Sequence, residues 1–474
     1  MKHSDHLLKE LVTYCSSDHY PFHMPGHKRR TLPFPNPWSI DITEIEGFDN
    51  LHHATGILQK LQREAAHTFH ARKSFCLING STCGVLAAIS ACVKPGGTLL
   101  MARNCHKSAY HGVYLRNITP VYLMPETTEF GFMGSLSPET AARALEMHPE
   151  AEALFVTSPT YDGVVSDIAS LAALAHERNI PLIVDEAHGA HFPFSSRFPD
   201  SALSCGADLV IHSLHKTLPA FTQTALLHLN SDRVNGETLK RFLEIYQSSS
   251  PSYLLMASVD LCLTLLQSEG TSQFGEFENR LYAFYRRSKD FAHIEIFPTE
   301  GRGMFARDAS KILISARNLG LSGPKLASLL REEYHLEPEM ATGHYVLALS
   351  SLMDTAESFM RLSGALLEID DRPLLPRQKT ADIFYENLLY RIPEQAMTPA
   401  QALERPGHTI PIIEAAGHIS REYLYLYPPG IPLLTPGEVI EPDIPKFLPR
   451  LISLGLTPEG LSDMTAQGIN VVFS

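Results

Sequence analysis

The stretch Pro181-Leu182-Ile183-Val184-Asp185-Glu186-Ala187-His188 joins a short apolar run to two acidic residues. A run of this length, rich in branched aliphatic residues, predicts a strand that is buried on both faces of a sheet. Five similar runs lie on either side of it, at 74–78, 98–101, 121–124, 153–157 and 209–211. Because helix-like segments separate most of these runs, the pattern predicts an α/β fold with a mainly parallel sheet.

The rest of the sequence divides the 474 residues into four parts around this predicted sheet. We predict an N-terminal arm at residues 1–50, where many prolines disfavour regular structure. A large α/β domain is predicted at 51–290, a smaller α/β domain at 291–370 and a C-terminal α+β domain at 371–474. With 44% hydrophobic and 19% charged residues, the composition is that of a globular protein.

The charge and the cysteine content restrict the partners and the compartment. The chain has 52 Asp and Glu residues against 39 Lys and Arg residues, a formal net charge of −13. This balance argues against nucleic-acid and membrane partners, since both require a basic face. The seven cysteines form no Cys-x-x-Cys pair, the N-terminus lacks a signal peptide, and no apolar run is long enough to span a membrane. We therefore expect a cytoplasmic protein.

Residues that follow the predicted strands are candidates for a site, because ligands bind at the carboxyl ends of parallel strands. The run at 74–78 is followed by Asn79-Gly80-Ser81-Thr82 and then by a helical pattern. Gly80 permits a tight turn, Ser81 or Thr82 can cap the helix, and the amides at a helix N-terminus attract an anion. The segment is typical of a phosphate site, and also of an ordinary capped helix.

The acidic residues after the central strand have two interpretations. Asp185-Glu186-Ala187-His188 matches the DEAH box of nucleoside triphosphatases, but those enzymes need an upstream G-x-x-x-x-G-K-[ST] loop, which this sequence lacks. Lys216, 31 residues after Asp185, follows another predicted strand and is either a Schiff-base amine or a solvated surface lysine. A phosphate site, a buried acid and a lysine at strand ends are together what pyridoxal phosphate (PLP) requires.

Nine motifs in order make the chain resemble the ornithine/lysine/arginine decarboxylases, which are PLP-dependent enzymes of fold type I. These motifs, which span most of the chain, are Phe22-His23-Met24-Pro25-Gly26-His27-Lys28, Asp41-Ile42-Thr43-Glu44, Asn79-Gly80-Ser81-Thr82, Arg103-Asn104-Cys105-His106-Lys107-Ser108, Pro159-Thr160-Tyr161-Asp162-Gly163, Val184-Asp185-Glu186-Ala187-His188-Gly189-Ala190-His191, Ser213-Leu214-His215-Lys216, Ser250-Pro251-Ser252-Tyr253 and Tyr427-Pro428-Pro429-Gly430-Ile431-Pro432. The resemblance implies α-decarboxylation of a basic L-amino acid with PLP as the cofactor.

The resemblance also implies roles for individual residues. Lys216 would carry PLP, and Asp185 would keep the pyridine nitrogen protonated. His106 would stack on the ring, and His215 or Lys216 would donate the proton to Cα. The cofactor-binding set that the resemblance implies is Ser81, Thr82, His106, Asp185, His188, Ser213, His215, Lys216 and Ser249.

The expected assembly is a homodimer or a dimer-based oligomer. The segment 248–250 resembles the loop that reaches the phosphate of the neighbouring subunit, so Ser249 would serve the partner's site. Only a short arm precedes the motifs, whereas the large members of the family begin with a wing domain that builds decamers. We therefore expect a short form of the family, without that wing domain.

Several alternatives stay open in the sequence. Another fold-type-I activity, such as an aminotransferase or an aldolase, and a non-catalytic paralogue that binds a partner both compete with decarboxylation. We expect no metal site, since the pairs His67/His70 and His188/His191 lack a third ligand. Arginine or lysine is favoured over ornithine as the substrate, with a slight preference for arginine. Candidates for binding its cationic side chain are Glu414, Glu422 and Glu438.

Overall fold

A seven-stranded sheet forms the centre of the large domain in the computed structural model, which describes residues 7–375, 391–427, 431–453 and 457–473. In spatial order its strands are β2 (Lys73–Leu77), β9 (Ala225–Leu229), β8 (Leu209–Ser213), β7 (Leu182–Asp185), β5 (Ala151–Thr157), β3 (Thr98–Ala102) and β4 (Thr119–Leu123). Neighbours pair in parallel except at β9, which is antiparallel to both β2 and β8. The predicted mainly parallel sheet is confirmed, and β9 is an addition that the sequence pattern did not predict.

Every residue of the central strands β3, β7, β8 and β9 is buried, which explains why most of them read as continuous apolar runs. Amphipathic and apolar helices pack against the sheet and against one another. These helices are α3 (Ile57–Thr68), α4 (Gly80–Cys92), α5 (Lys107–Leu115), α6 (Pro138–Met147), α7 (Ile168–Glu177), the one-turn α8 (Leu214–Thr217) and α9 (Gly236–Tyr246). The 35-residue helix α10 (Tyr253–Arg287) then leads out of the large domain.

The smaller domain contains an antiparallel sheet. Its strands, in spatial order, are β10 (Glu295–Ile296), β12 (Lys311–Ser315), β15 (Val346–Leu349) and β14 (Met340–Ala341), and the helices that follow in this region are α11 (Gly323–Tyr334) and α12 (Ala356–Asp370). Strand β11 (Ala306–Arg307) pairs with β6 (Val164–Val165) of the large domain. This pairing brings the beginning of the small domain close to the carboxyl end of β5.

The N-terminal arm is attached to the small domain by a strand pair. It contains α1 (Leu7–Cys15), β1 (Tyr20–Phe22) and α2 (Pro37–Ile40), and β1 pairs in parallel with β13 (Leu336–Pro338). The Lys28 side chain reinforces this attachment, because its ammonium donates to the carbonyl oxygens of Pro21, His23 and Leu349. Short 3₁₀ turns occupy Leu51–His53, Phe192–Phe194, Ser288–Asp290, Arg317–Leu319 and Ile412–Glu414.

The C-terminal region consists of two small sheets and two helices. One sheet pairs β16 (Gly407–Pro411) with β20 (Gly468–Val472), and the other has the order β18 (Ile431–Leu434), β17 (Leu424–Tyr427), β19 (Thr457–Glu459). The helices are α13 (Pro399–Glu404) and α14 (Asp443–Ser453). Within the described parts of the chain, no helix is long and apolar enough to cross a membrane.

A buried ion pair fixes the C-terminal region to the large domain. The guanidinium of Arg103, just after β3, binds both carboxylate oxygens of Glu438 at 2.6 and 3.0 Å, and both side chains are fully buried. The Tyr122 ring lies 4.6 Å from the guanidinium carbon, and the Thr435 amide donates to Glu438. Since the removal of one partner leaves an uncompensated buried charge, we expect the loss of either partner to weaken the attachment of the C-terminal region.

Replacement of Arg103 by methionine should lower the free energy of unfolding by about 3–5 kcal/mol, because it leaves the Glu438 carboxylate buried without its partner. Urea denaturation followed by circular dichroism measures this loss, and limited proteolysis reports whether the C-terminal region detaches. The double variant Arg103→Met, Glu438→Leu, which removes both charges, should recover at least half of the loss. A single variant within about 1 kcal/mol of wild type would show that the ion pair does not determine docking.

Candidate active site

A cavity of about 730 Å³ lies at the carboxyl ends of β2, β3, β5, β7 and β8. Seven of the predicted site residues line it, namely Ser81, Thr82, His106, Asp185, His188, His215 and Lys216. Ser213 lies behind this lining, where its hydroxyl donates to the Ser81 hydroxyl at 2.9 Å. Ser249 is exposed on a loop and does not line the cavity of its own chain.

The N-terminus of α4 forms one end of the cavity. Gly80 adopts φ +73°, a left-handed conformation that favours glycine, and it turns the chain directly from β2 into the helix. The N-cap residue Asn79 makes no side-chain hydrogen bond to the amides of the first turn. Those amides, together with the hydroxyls of Ser81 and Thr82, are therefore donors for an anion at the positive end of the helix.

Lys216 and Asp185 lie at the ends of adjacent strands. Burial raises the pKa of the Asp185 carboxyl, and the nearby charge of Lys216 opposes this effect. Burial lowers the pKa of the Lys216 amine, while Asp185 and Glu339 oppose that effect. A lysine with a lowered pKa is neutral in a larger fraction of molecules and is therefore a better nucleophile.

The N-terminal arm supports the turn that carries Lys216. The Gly26 amide donates to the carbonyl oxygen of His215 at 2.7 Å. A Cβ atom at Gly26 would stand only 2.7 Å from backbone atoms of Thr217 and Leu218. The close approach therefore requires glycine here, and it explains why a motif in the arm accompanies the motif that contains the lysine.

The two histidines that flank Lys216 in the cavity are held neutral. Partial burial and the neighbouring Lys216 lower the pKa of His106 to about 4, and its Nδ1 bonds the Ser108 hydroxyl at 2.8 Å. Burial lowers the pKa of His215 to about 4, although its bond to the Thr224 carbonyl opposes this. Since a carbonyl oxygen only accepts, the Nδ1 of His215 donates to it at 3.0 Å. The Nε2 of neutral His215 is consequently an acceptor.

The acidic residues around the cavity differ from those expected. In the described part of the chain, none of Glu414, Glu422 and Glu438 lines the cavity. Glu438 binds Arg103, and Glu422 accepts from the amides of Ser462 and Asn470. This expectation is corrected by β19, which brings Glu459 to the cavity.

Two further residues near the site were missed by sequence reasoning. Asp162, in the Tyr161-Asp162-Gly163 motif, lines the cavity and accepts from the Tyr345 hydroxyl. Lys311, at the start of β12, lies behind the cavity and contacts His188. Lys311 directly precedes the apolar run 312–314, a position that is also typical of a solvated lysine, so no local signal of this contact is present in the sequence. Among the described residues, no group of three His, Cys, Asp or Glu side chains is arranged to hold a metal ion.

Comparison with known proteins identifies the family. Residues 6–298 match the family described as Orn/Lys/Arg decarboxylase, major domain, and residues 380–455 match its C-terminal domain. The chain belongs to the Orn/Lys/Arg decarboxylase family. The resemblance seen in the sequence is therefore confirmed, and the protein is an amino-acid decarboxylase that acts on a basic amino acid.

Two relatives and one solved structure show how similar this Orn/Lys/Arg decarboxylase is to known members of the family. It is 32% identical to the arginine decarboxylase of Bacillus subtilis (strain 168), over 99% of this chain and 98% of that protein. It is 23% identical to the inducible lysine decarboxylase of Escherichia coli (strain K12), over 95% of this chain and 77% of that protein. The crystal structure of the Francisella novicida lysine decarboxylase LdcF superposes with a TM-score of 0.78 at 21% identity, covering 98% of this chain and 80% of that chain. The predicted fold type I is thus confirmed.

Proposed function

We propose that this decarboxylase removes the α-carboxylate of L-arginine with PLP attached through Lys216, and that it acts in the cytoplasm. The observation that carries the proposal is that the Lys216 amine and the Asp185 carboxylate share one cavity with the first turn of α4, whose N-cap residue makes no side-chain hydrogen bond to that turn. The seven cysteines, all of which are described and free, are consistent with the reducing cytoplasm.

The residues of the cavity fit PLP. The first turn of α4 offers amides and the hydroxyls of Ser81 and Thr82 for a phosphate. Asp185 supplies a buried carboxylate for a pyridine nitrogen, and Lys216 supplies an amine with a lowered pKa. When bound, PLP supplies an electron sink for the electrons that the departing carboxylate leaves on Cα.

The residues of the chain then have separable tasks. Asp185 would stabilise positive charge on the cofactor nitrogen through its buried carboxylate, and His106, which lines the cavity, would restrict tilting of a bound ring. The proton for Cα has two candidate donors. His215 carries no proton on Nε2 when it is neutral, whereas Lys216 lies in the cavity and can donate as an ammonium, after it has taken up the proton that the α-ammonium of the substrate loses. We therefore assign proton donation to Lys216 rather than to His215.

We propose arginine rather than lysine as the substrate for two reasons, namely the names of the more similar relatives and an unpaired carboxylate among the described residues of the cavity. The relative named arginine decarboxylase is more similar and matches over almost its full length, whereas the lysine decarboxylase matches over about three quarters of its length. The test is to supply arginine, lysine and ornithine separately and to identify the amine products. Agmatine as the dominant product supports the proposal, and cadaverine or putrescine as the dominant product refutes it.

Glu459 is the residue that we propose to bind the guanidinium of the substrate. It lines the cavity, and its carboxylate makes no hydrogen bond or ion pair with the residues that the structure describes. The other acids of the lining have partners, since Asp162 binds Tyr345 and Asp185 faces Lys216. A planar guanidinium would form a bidentate pair with such a free carboxylate.

Replacement of Glu459 by glutamine should raise the KM for arginine by about tenfold to a hundredfold while kcat changes by less than about threefold, since a charge-assisted bond to the substrate is lost. Steady-state kinetics measures both constants. Glu414→Gln is the matched control, because Glu414 is an exposed glutamate outside the cavity. Equal KM values for the two variants would eliminate Glu459 as the residue that binds the side chain.

We also propose a two-fold dimer in which the loop 248–250 completes the partner's site. All three serines of this loop are exposed, and the loop is ordered by a contact between the His52 ring and the Ser248 carbonyl oxygen at 2.9 Å. Two residues after the loop, Ser252 caps the N-terminus of α10, so the loop is held close to the start of that helix. An exposed polar loop outside its own cavity fits a role across an interface.

Mixing of two inactive variants should restore activity if the site is shared. A heterodimer of a Lys216→Ala chain and a Ser249→Trp chain contains one site with both wild-type residues. In a random equal mixture, half of the dimers are heterodimers and each has one intact site of two, so about a quarter of wild-type activity is expected. Each variant assayed alone is the control. A fully active monomer in light scattering, or a mixture no more active than its parents, would overturn the shared site.

A further inference from the structure

We propose that Lys311 is a positioning residue that fixes the tautomer of His188, so that the hydrogen of the His188 ring lies on Nε2 and points to Lys216. This proposal rests on the proposed function only because the proposed function assigns cofactor attachment and proton donation to Lys216. The contact between Lys311 and His188 does not depend on that assignment, and it can be tested without enzymatic turnover.

The geometry places His188 between two lysines. The Nζ of Lys311 lies 2.9 Å from His188 Nδ1, and the Nζ of Lys216 lies 3.1 Å from His188 Nε2. Lys311 is fully buried and does not line the cavity, whereas His188 and Lys216 do. The hydrogen-bonded path from Lys311 to Lys216 therefore runs through the imidazole ring of His188.

The chemistry of the three groups selects one tautomer. Burial and the two lysines hold the pKa of His188 well below its usual range, so its ring is neutral, with one donor and one acceptor nitrogen. Burial lowers the pKa of Lys311 to about 8, against the effect of Asp308 and Glu339, so Lys311 is mostly charged at neutral pH. An ammonium only donates, so Nδ1 accepts and Nε2 carries the hydrogen. Burial lowers the pKa of Lys216, which favours the neutral amine, and this form can accept from Nε2.

The Tyr161-Asp162-Gly163 motif makes space for the Lys311 stem. A Cβ atom at Gly163 would lie 2.9 Å from the Cγ and 3.1 Å from the Cβ of Lys311, and Gly163 adopts φ +91°. The Tyr161 ring packs against the His188 ring with the centroids 4.8 Å apart. Gly163 therefore packs against Lys311 and Tyr161 packs against His188. This packing gives Tyr161 and Gly163 a role, although neither takes part in the reaction.

The decisive experiment is NMR of the holoenzyme and of the cofactor-free protein, both labelled at the histidine ring nitrogens. The His188 signals are assigned as those missing in His188→Gln. The expected result in both forms is a neutral ring with its hydrogen on Nε2. A hydrogen on Nδ1, or a charged ring, overturns the proposal. Because this measurement uses the wild-type chain and no turnover, failure of the proposed reaction and failure of this inference are distinguishable.

A double-mutant cycle tests whether Lys311 acts through His188. Lys311→Met should lower kcat by at least about tenfold and leave KM within about threefold of wild type. The reason is that the other tautomer of His188 would no longer present a hydrogen on Nε2 to Lys216. The variant should also shift the pH midpoint of the visible absorbance of the bound cofactor. Lys311→Arg, which keeps donors, should recover part of both effects. In the His188→Phe background, Lys311→Met should change neither quantity, and equal changes in both backgrounds overturn the proposal.

Discussion

Replacement of Lys216 by alanine should abolish covalent attachment of PLP and reduce decarboxylation to below about a thousandth of the wild-type rate. The reason is that the Lys216 amine lies in the cavity and is close enough to Asp185 for their charges to interact, whereas Lys107, the other lysine of the described lining, is the first residue of α5. Borohydride reduction followed by peptide mass spectrometry measures the attachment. The wild-type chain should yield one pyridoxyl-labelled peptide, which contains Lys216.

The control for this variant is Lys289→Ala, which removes an exposed lysine far along the chain from the cavity motifs. It should retain the labelled peptide and the wild-type rate. If Lys216→Ala still gave a covalent pyridoxyl adduct at another lysine with turnover intact, the assignment of Lys216 would be wrong.

The Asp185→Asn variant should keep the fold but lose a factor of about 10³ or more in kcat. The asparagine side chain can still accept the 3.2 Å bond that the Ala187 amide donates to Asp185, so the end of β7 keeps its shape. What is lost is the negative charge that stabilises a protonated pyridine nitrogen. Steady-state kinetics measures the rate, and circular dichroism verifies the fold.

Asp200→Asn provides the matched control, since it removes one negative charge from an exposed aspartate. Its kcat should stay within about twofold of wild type. If Asp185→Asn also kept its turnover within about tenfold of wild type, the electrostatic role of Asp185 would have to be abandoned.

The large sheet was predictable because its strands are buried on both faces. Strands β3, β7 and β8 contain only buried residues, and this burial is visible as apolar runs. Strand β9 was not predicted because His228 interrupts its run of apolar residues. In the fold, the buried His228 ring forms hydrogen bonds with Ser74 and His212. Nothing in a strand's own sequence reveals that it runs antiparallel to its neighbours.

The cavity lining was predictable where a motif directly follows a strand, because the carboxyl ends of parallel strands meet. Contacts between distant segments were not predictable. Lys311 contacts His188 across 123 residues, and Arg103 binds Glu438 across 335 residues. The sequence alone therefore leaves Glu438 among the three candidates for binding the substrate, although its charge is already neutralised by Arg103. The Glu459 carboxylate follows no apolar strand of the main sheet, and only the folded C-terminal region brings it to the cavity.

The fate of L-arginine labelled at its carboxyl carbon tests directly whether this chain is an arginine decarboxylase. The PLP-loaded protein is incubated with it, and released CO₂ and amine product are measured in the same sample. We expect equal molar amounts of labelled CO₂ and agmatine from the wild-type chain, and neither product from the Lys216→Ala chain. A ketoacid formed without CO₂, or the absence of CO₂ from arginine, lysine and ornithine alike, would contradict this expectation.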